Sequence, residues 1–258
     1  MLDAVQKAAR DQFEKQSDRY GKSHILANTD DVAAALRGLK FAPEARALDV
    51  ATGGGHTAVY LAGLGLNVTA SDLSAAMLEN ARQLGLERGF SITTSLNEAE
   101  KFPQPDASFD LVTCRVAAHH FSNREAFLEE TRRVLKTGGH FLLIDGSVPD
   151  GEPEAADWIH QVEKLRDPSH GRFLSPSEWS GLCERHGLRV LRCETTPFKQ
   201  PDLEWYFHTA ATSPDNREKV RELVRTAPEA ARRVFLIGAE DGKTIWWWPR
   251  LTLLAVKR

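Results

Sequence analysis

The segment Ala47-Leu48-Asp49-Val50, running straight into Ala51-Thr52-Gly53-Gly54-Gly55, constrains the fold of this chain more than any other. The first four residues read as a short strand, and His56 to about Leu64 reads as a helix. A strand that turns on glycine into a helix is the opening of a βαβ unit. The rhythm then repeats. Asn67–Ser71 reads as a strand ending at Asp72, and Ser74 is placed to cap a helix carrying Met77, Leu78, Ala81 and Leu84 at helical spacing. Phe90 to Thr94 and Phe109–Cys114 read as further strands. Ser122 and Glu125 have capping-box spacing before a helix with Phe127, Leu128, Thr131, Val134 and Leu135 on one face. Gly138-Gly139 is read as the end of that helix, and His140–Asp145 as the next strand. Such alternation predicts an α/β fold: a Rossmann-like, mostly parallel sheet with helices on both faces and right-handed crossovers.

Helices are expected on either side of this pattern. Asp3 to about Ser17 is helix-compatible with a weak apolar stripe, and Asp30 to Lys40 carries Val32, Ala35 and Leu36. Beyond Asp145 all six tryptophans fall between Trp158 and Trp248. Ser175 to Gly187 reads as helix, Leu188–Thr195 as strand, and 199 to about 232 as largely helical. Asp241-Gly242, between Val234–Ile237 and Lys243–Trp248, is a type I′ hairpin signal. Leu251–Lys257 reads as the last strand, with Pro249 marking a break or bulge before it. The expected organisation is one domain. Residues 1–146 form the Rossmann-like core with an N-terminal helical lid; residues 147–258 complete the sheet and carry a cap insertion at about 199–242.

At 258 residues the chain is long enough for a full core. A net charge of −3 gives none of the basic excess that nucleic-acid partners call for. The longest clean apolar runs, Phe141–Ile144 and Ile245–Trp248, fall far short of the roughly 18 residues of a membrane span. The N-terminus is charged from the start and has no secretion-signal segment. Three cysteines without a CxxC pair argue against a disulfide framework or a cysteine-based zinc site, so a reducing cytoplasm is expected.

In a doubly wound sheet, ligands bind outside the carboxyl ends of the strands. Gly53 and Gly55 let a ligand approach the backbone there, and Asp72 is placed to accept hydrogen bonds from a ribose diol. Gly53 to Ala58 also fits G-x-G-x-x-A, so a dinucleotide fingerprint is formally present and an NAD-dependent oxidoreductase is a rival reading.

Several ordered motifs resemble those of class I S-adenosylmethionine-dependent methyltransferases. Leu48 to Gly55 is similar to that family's first motif, with an acid closing strand one ahead of a G-x-G loop. Glu98 to Pro103 with Ser108-Phe109-Asp110 resembles the adenine-contact loop and fourth strand. Arg115 to Phe121 and Glu130 to Gly139 resemble the segments that follow. The nearest subgroup is the ubiquinone/menaquinone-biosynthesis type of small-molecule methyltransferase, and the resemblance covers about residues 10 to 146. It implies a seven-stranded sheet with an antiparallel last strand, and S-adenosylmethionine as cofactor, leaving S-adenosylhomocysteine as product. It further implies that Asp49 reaches the methionine amino group, directly or through water, while Ala51, Gly53 and Gly55 line methionine and ribose. Asp72 would bind the ribose hydroxyls, Leu73 lie beside adenine, and Glu98 with Ala99 contact the adenine amine. Glu98 stands where the family usually has Asp, one methylene shorter. Arg115 would close the pocket, and Tyr20, with Ser23 and His24, would fold over the cofactor; a packing aromatic is the other reading of Tyr20.

Methyl transfer from a sulfonium needs positioning above all, and a general base only where the acceptor must lose a proton. His119, just past the fourth strand, is the first candidate base; local hydrogen bonding is the alternative. His120, His170 and Trp205 are candidate substrate contacts. A Cys114/His119/His120 metal set lacks paired spacing, so no metal is expected. The tryptophans around the insertion serve either an aromatic wall for a flat or apolar small-molecule acceptor, or packing, or a homodimer contact. Methyl transfer to oxygen or carbon is the expected reaction. A protein that binds S-adenosylmethionine without transferring the methyl is the second rival.

Overall fold

The computed structural model describes residues 2–20 and 24–258; the side chains at 15–20, 24 and 25 lie outside that description. The expectations placed on Tyr20, Ser23 and His24 therefore fall outside the described residues. The chain begins with α1 (Ala4–Tyr20), the four-residue α2 (His24–Ala27) and α3 (Asp30–Leu36). The alternating core follows: β1 (Arg46–Val50), α4 (His56–Gly63), β2 (Asn67–Asp72), α5 (Ala75–Glu87), β3 (Thr93–Leu96), β4 (Phe109–Arg115), a 3-10 turn at Ala118–His120, α6 (Arg124–Val134) and β5 (Leu135–Gly146). Then come α7 (Pro153–Arg166), α8 (Pro176–Arg185), β6 (Leu188–Lys199), α9 (Leu203–Thr209), α10 (Pro214–Arg225), α11 (Glu229–Val234), β7 (Gly238–Glu240), β8 (Lys243–Ile245) and β9 (Trp247–Lys257).

Seven strands form one sheet in the order β3-β2-β1-β4-β5-β9-β6. The pairs from β3 to β5 are parallel, and β9 runs antiparallel between β5 and β6. The Rossmann-like α/β expectation holds, antiparallel last strand included. Strand period two sorts the core onto two faces. Leu48, Val50, Val112, Phe141 and Leu143 pack against Phe127, Trp179 and Leu182 on one side. Ala47, Leu111, Leu142 and Ile144 pack against Val32, Ala58, Leu61 and Ala81 on the other.

Five local expectations move. Phe90 belongs to the turn that ends α5, donating its N–H to the Gly85 carbonyl at 2.8 Å, so β3 starts only at Thr93. Ser122 gives its N–H and hydroxyl to Glu100, and Asn123 caps α6 instead by accepting from the Ala126 N–H. Gly138-Gly139 does not end α6, which stops at Val134. The glycines lie in a bulge inside β5, where Leu135 pairs with Phe109 and His140 with Leu111. The Asp241-Gly242 hairpin is real, both residues having positive φ, but its strands are Gly238–Glu240 and Lys243–Ile245 because α11 extends to Val234.

Pro249 does not break the last strand; β9 runs through it and sets it opposite Pro197. The Pro249 carbonyl accepts from the Ser147 N–H at 2.8 Å, on the β5 side. In an antiparallel ladder a residue's N and C=O face the same neighbour, so its ring nitrogen also points away from β6. Two opposed prolines thus cost the β6–β9 ladder no hydrogen bond.

A third apolar cluster builds the cap. Trp158, Ile159 and Val162 of α7 pack with Tyr206, Phe207, Val220, Val224, Phe235, Trp246 and Trp248. The insertion therefore closes over α7 as well as the sheet. Trp158, Trp246 and Trp248 are buried in this cluster, and Trp205 packs against it.

Candidate active site

The sheet order reverses between β1 and β4, and a cleft opens at the carboxyl ends of these strands. It encloses about 110 Å³ and is partly open to solvent. Its floor is the glycine turn. Ala51 and Gly53 hold left-handed backbone, at φ 52° and 51°. Gly55, at φ 83°, lies below the cleft against α5; a Cβ there would stand 2.6 Å from the Ala81 Cα and Cβ. That contact lets α4 and α5 approach under the turn.

Two acids organise the loop from beneath. One oxygen of Asp72 accepts from the Gly53 N–H at 3.0 Å and the other from the Ser74 N–H at 2.9 Å. Burial raises the Asp72 pKa in spite of those donors. Asp49 is fully buried and accepts from the hydroxyls of Thr113 and Thr52, both at 2.6 Å. Burial pushes the Asp49 carboxyl up to about 6, against the two threonine hydroxyls and the charge of Arg115. Thr52, which lines the cleft, links Asp49 to the cavity.

The structure brings Ala51, Gly53, Asp72, Leu73, Ala99, Arg115 and His120 together on the cleft wall. Arg115 is held there by Asp31 at 3.1 Å and by the Leu26 and Asn28 carbonyls. Other predicted residues are placed elsewhere. Glu98 is not on the wall; Asn97 and Glu100 are, and Glu98 borders an outer groove beside Leu73 and Asn97. His119 is buried behind the wall, its Nδ1 at 2.6 Å from Asp145. His170 is buried deeper, 5.4 Å from the His119 ring and 4.8 Å from Phe173 by ring centroids. Trp205 belongs to the cap cluster, away from the cleft lining.

Gln6, Ala9 and Phe13 also line the cleft, and sequence reasoning missed them. The amide of Gln6 reaches Glu100 at 3.0 Å and so docks α1 over the cavity. Their spacing of i, i+3 and i+7 on one helical face was the available signal. Among the described residues, no group of three or more His, Cys, Asp or Glu side chains is arranged to hold a metal ion.

Comparison with known proteins places this geometry. The methyltransferase domain family matches residues 48–143. An uncharacterized methyltransferase of Bacillus subtilis, YcgJ, is 30% identical over 226 residues, 87% of this chain and 88% of the relative. The crystal structure of YcgJ superimposes with a TM-score of 0.81 at 28% identity, covering 90% of this chain and 99% of that one. A demethylmenaquinone methyltransferase of Deinococcus radiodurans is 38% identical, but over 119 residues only, 45% of this chain and 49% of the relative. That relative is thus matched over less than half of this chain, whereas YcgJ is matched over most of it. An acid-closed first strand, a glycine turn over a strand-end aspartate and an antiparallel strand beside β5 all agree with that likeness: the chain belongs to the class I S-adenosylmethionine-dependent methyltransferases.

Proposed function

We propose that this enzyme methylates an oxygen or carbon of a small-molecule acceptor, and that the cleft at the ends of β1, β2 and β4 holds both reactants. The observation that carries the reading is Asp72, anchored to the Gly53 N–H at the floor of an open cleft. Its carboxylate keeps lone pairs for the ribose diol of the cofactor. The donor set suits the rest of S-adenosylmethionine. Ala51 and Gly53 leave room for the methionine chain and ribose, since nothing lies within 4 Å of a Cβ placed on Gly53. Asp49, a buried carboxylate that forms no ion pair among the described residues, complements the methionine ammonium through Thr52 or a water. Leu73 and Ala99 flank the adenine, with Asn97 offering an amide where Glu98 was expected. Arg115 closes the far end.

The cofactor supplies an electrophilic methyl group on a sulfonium. The chain supplies orientation, worth roughly 7–11 kcal/mol of the barrier when donor and acceptor are held in line. An acidic overall charge favours a small acceptor over nucleic acid. No helix among the described residues is long and apolar enough to cross a membrane, and the cytoplasm is the proposed location.

Thermal unfolding with S-adenosylmethionine, S-adenosylhomocysteine or NAD⁺ tests the reading. A ligand at 100 times its Kd adds about 2.7 kcal/mol, a rise of roughly 5–11 °C. The rise is expected with the first two ligands and not with NAD⁺, and Asp72→Ala should abolish it through a loss of affinity of at least about 100-fold. A response to NAD⁺ alone would sink the assignment.

A further inference from the structure

His120 lines the cleft, and its hydrogen bonds fix its tautomer. It closes the 3-10 turn at Ala118–His120, which places its ring on the wall and leaves His119 behind it. Its Nδ1 lies 3.1 Å from the Ser169 carbonyl oxygen and 3.1 Å from the Ser169 hydroxyl. A carbonyl only accepts, so Nδ1 carries the hydrogen. The Ser169 hydroxyl spends its own proton on Asp167, at 2.6 Å, and so can only accept from the imidazole. Both partners require the lone pair to sit on Nε2. Asp167, buried beneath Ser169, supplies negative charge two bonds away. Phe13 meets the ring edge-on at 5.1 Å, the His119 ring lies 4.1 Å away on the buried side, and Ala9, Ala117 and Phe121 line the same cleft.

We infer that His120 takes the acceptor's proton on Nε2, that Ser169 and Asp167 are its positioning residues, and that the acceptor is an acidic hydroxyl on a flat apolar ring, a phenol or an enol. This rests on the methyltransferase reading above. The acceptor O–H bond breaks, its proton bonds to Nε2, and the electron pair left on oxygen forms the bond to the transferred methyl carbon. The carbon–sulfur pair stays on sulfur, giving a neutral thioether, and the imidazolium returns its proton to solvent at the open side of the cleft. Ser169 and Asp167 stabilise that cation. Burial and the adjacent His119 ring, 4.1 Å away, hold His120 neutral, at about 4. A base so weak suits an acceptor that is itself acidic and fails an aliphatic alcohol. His119 is excluded from the role by position: its Nδ1 is bound to Asp145 and it does not reach the wall.

Two measurements on the full chain test this. Nitrogen-15 imidazole NMR of the protein and of His120→Gln identifies the His120 ring; the Nδ1–H tautomer is expected, and an Nε2–H tautomer overturns the assignment. Release of S-adenosylhomocysteine is then followed with phenols from 4-nitrophenol to 4-methoxyphenol and with cyclohexanol. Turnover is expected with the phenols only. His120→Gln should lower kcat by about 10²–10⁴-fold, and Ser169→Ala should lower kcat more than it raises KM, with a shifted pH profile. Phenol turnover that survives His120→Gln, or no turnover of any phenol, overturns the proposal. Calorimetry of S-adenosylmethionine binding to the same proteins separates the two failures: cofactor bound without turnover defeats the base and acceptor assignment, whereas no cofactor bound defeats the methyltransferase reading beneath it.

Discussion

Beneath the glycine turn, buried polar groups have near partners. Asp72 meets the Gly53 and Ser74 N–H groups, and Asp49 meets two threonine hydroxyls. Under the cap some buried polar groups lack such partners. Both ring nitrogens of His170 and the indole N–H groups of Trp246 and Trp248 are buried with no hydrogen-bond partner among the described residues. Each such group costs about 1–3 kcal/mol. The cap offsets that by burying aromatic area at about 25 cal/mol per Å². The first region is held by directional bonds in one geometry that can receive a ligand; the second combines a few such bonds, Trp158 to the Leu223 carbonyl and Tyr206 to Glu163, with aromatic packing that leaves other polar groups unmet.

The largest expected effect lies in the first region. Gly55→Val puts a branched side chain at φ 83° and within 2.6 Å of Ala81, where both α4 and α5 are fixed. A loss of about 3 kcal/mol and a drop in Tm of roughly 6–12 °C should appear by calorimetry. An unchanged Tm would mean that the turn is as tolerant as the cap, and the contrast would collapse.

His170→Phe sharpens the other side. Burial lowers the His170 pKa, so below about pH 6.5 the unfolded chain binds a proton that the folded one does not, and stability falls as pH falls. His120 and His160 are lowered in the same way and add to the loss. Removing His170 should shrink the fall in stability between pH 7.5 and pH 5 by up to about 2 kcal/mol. Denaturant melts at the two pH values would show it; an equal fall in both proteins would place a partner on His170.

The smallest effect is a coupling at Asp49. Its folded pKa, about 6, stands above the unfolded value of 3.8, so its ionisation makes the ligand-free protein less stable as pH rises from about 4 to 6. A bound ammonium favours the ionised form. Affinity for S-adenosylmethionine should therefore rise about tenfold from pH 5 to pH 7, and Asp49→Asn should flatten that dependence. Calorimetry across the range would decide it; a flat wild-type profile would disconnect Asp49 from the cofactor.

The first region was legible in the sequence because its signals are local. The β1 strand, the glycine turn and Asp72 all lie between Arg46 and Asp72, and strand or helix period assigns the elements. What was not legible depends on distance or on fine geometry. Whether His119 or His120 faces the cleft is decided by a three-residue 3-10 turn and by Ser169, 49 positions away. Helix α7 shows its apolar face locally, with Ala155, Trp158, Ile159 and Val162 at helical spacing, but what covers that face is supplied largely by residues after 203, which no local signal reveals. The move from Glu98 to Asn97 is one step along a loop that no period constrains.

Val116 holds a left-handed backbone at φ 55°, on the cleft wall next to Arg115. Strain of this kind costs of order 1–3 kcal/mol, and a branched residue is among the worst placed to bear it. Glycine would release it for about 0.5–1 kcal/mol of chain entropy. Selection for heat tolerance alone would therefore draw position 116 towards glycine; the valine found there forgoes that stability and sets a branched side chain on the cleft wall.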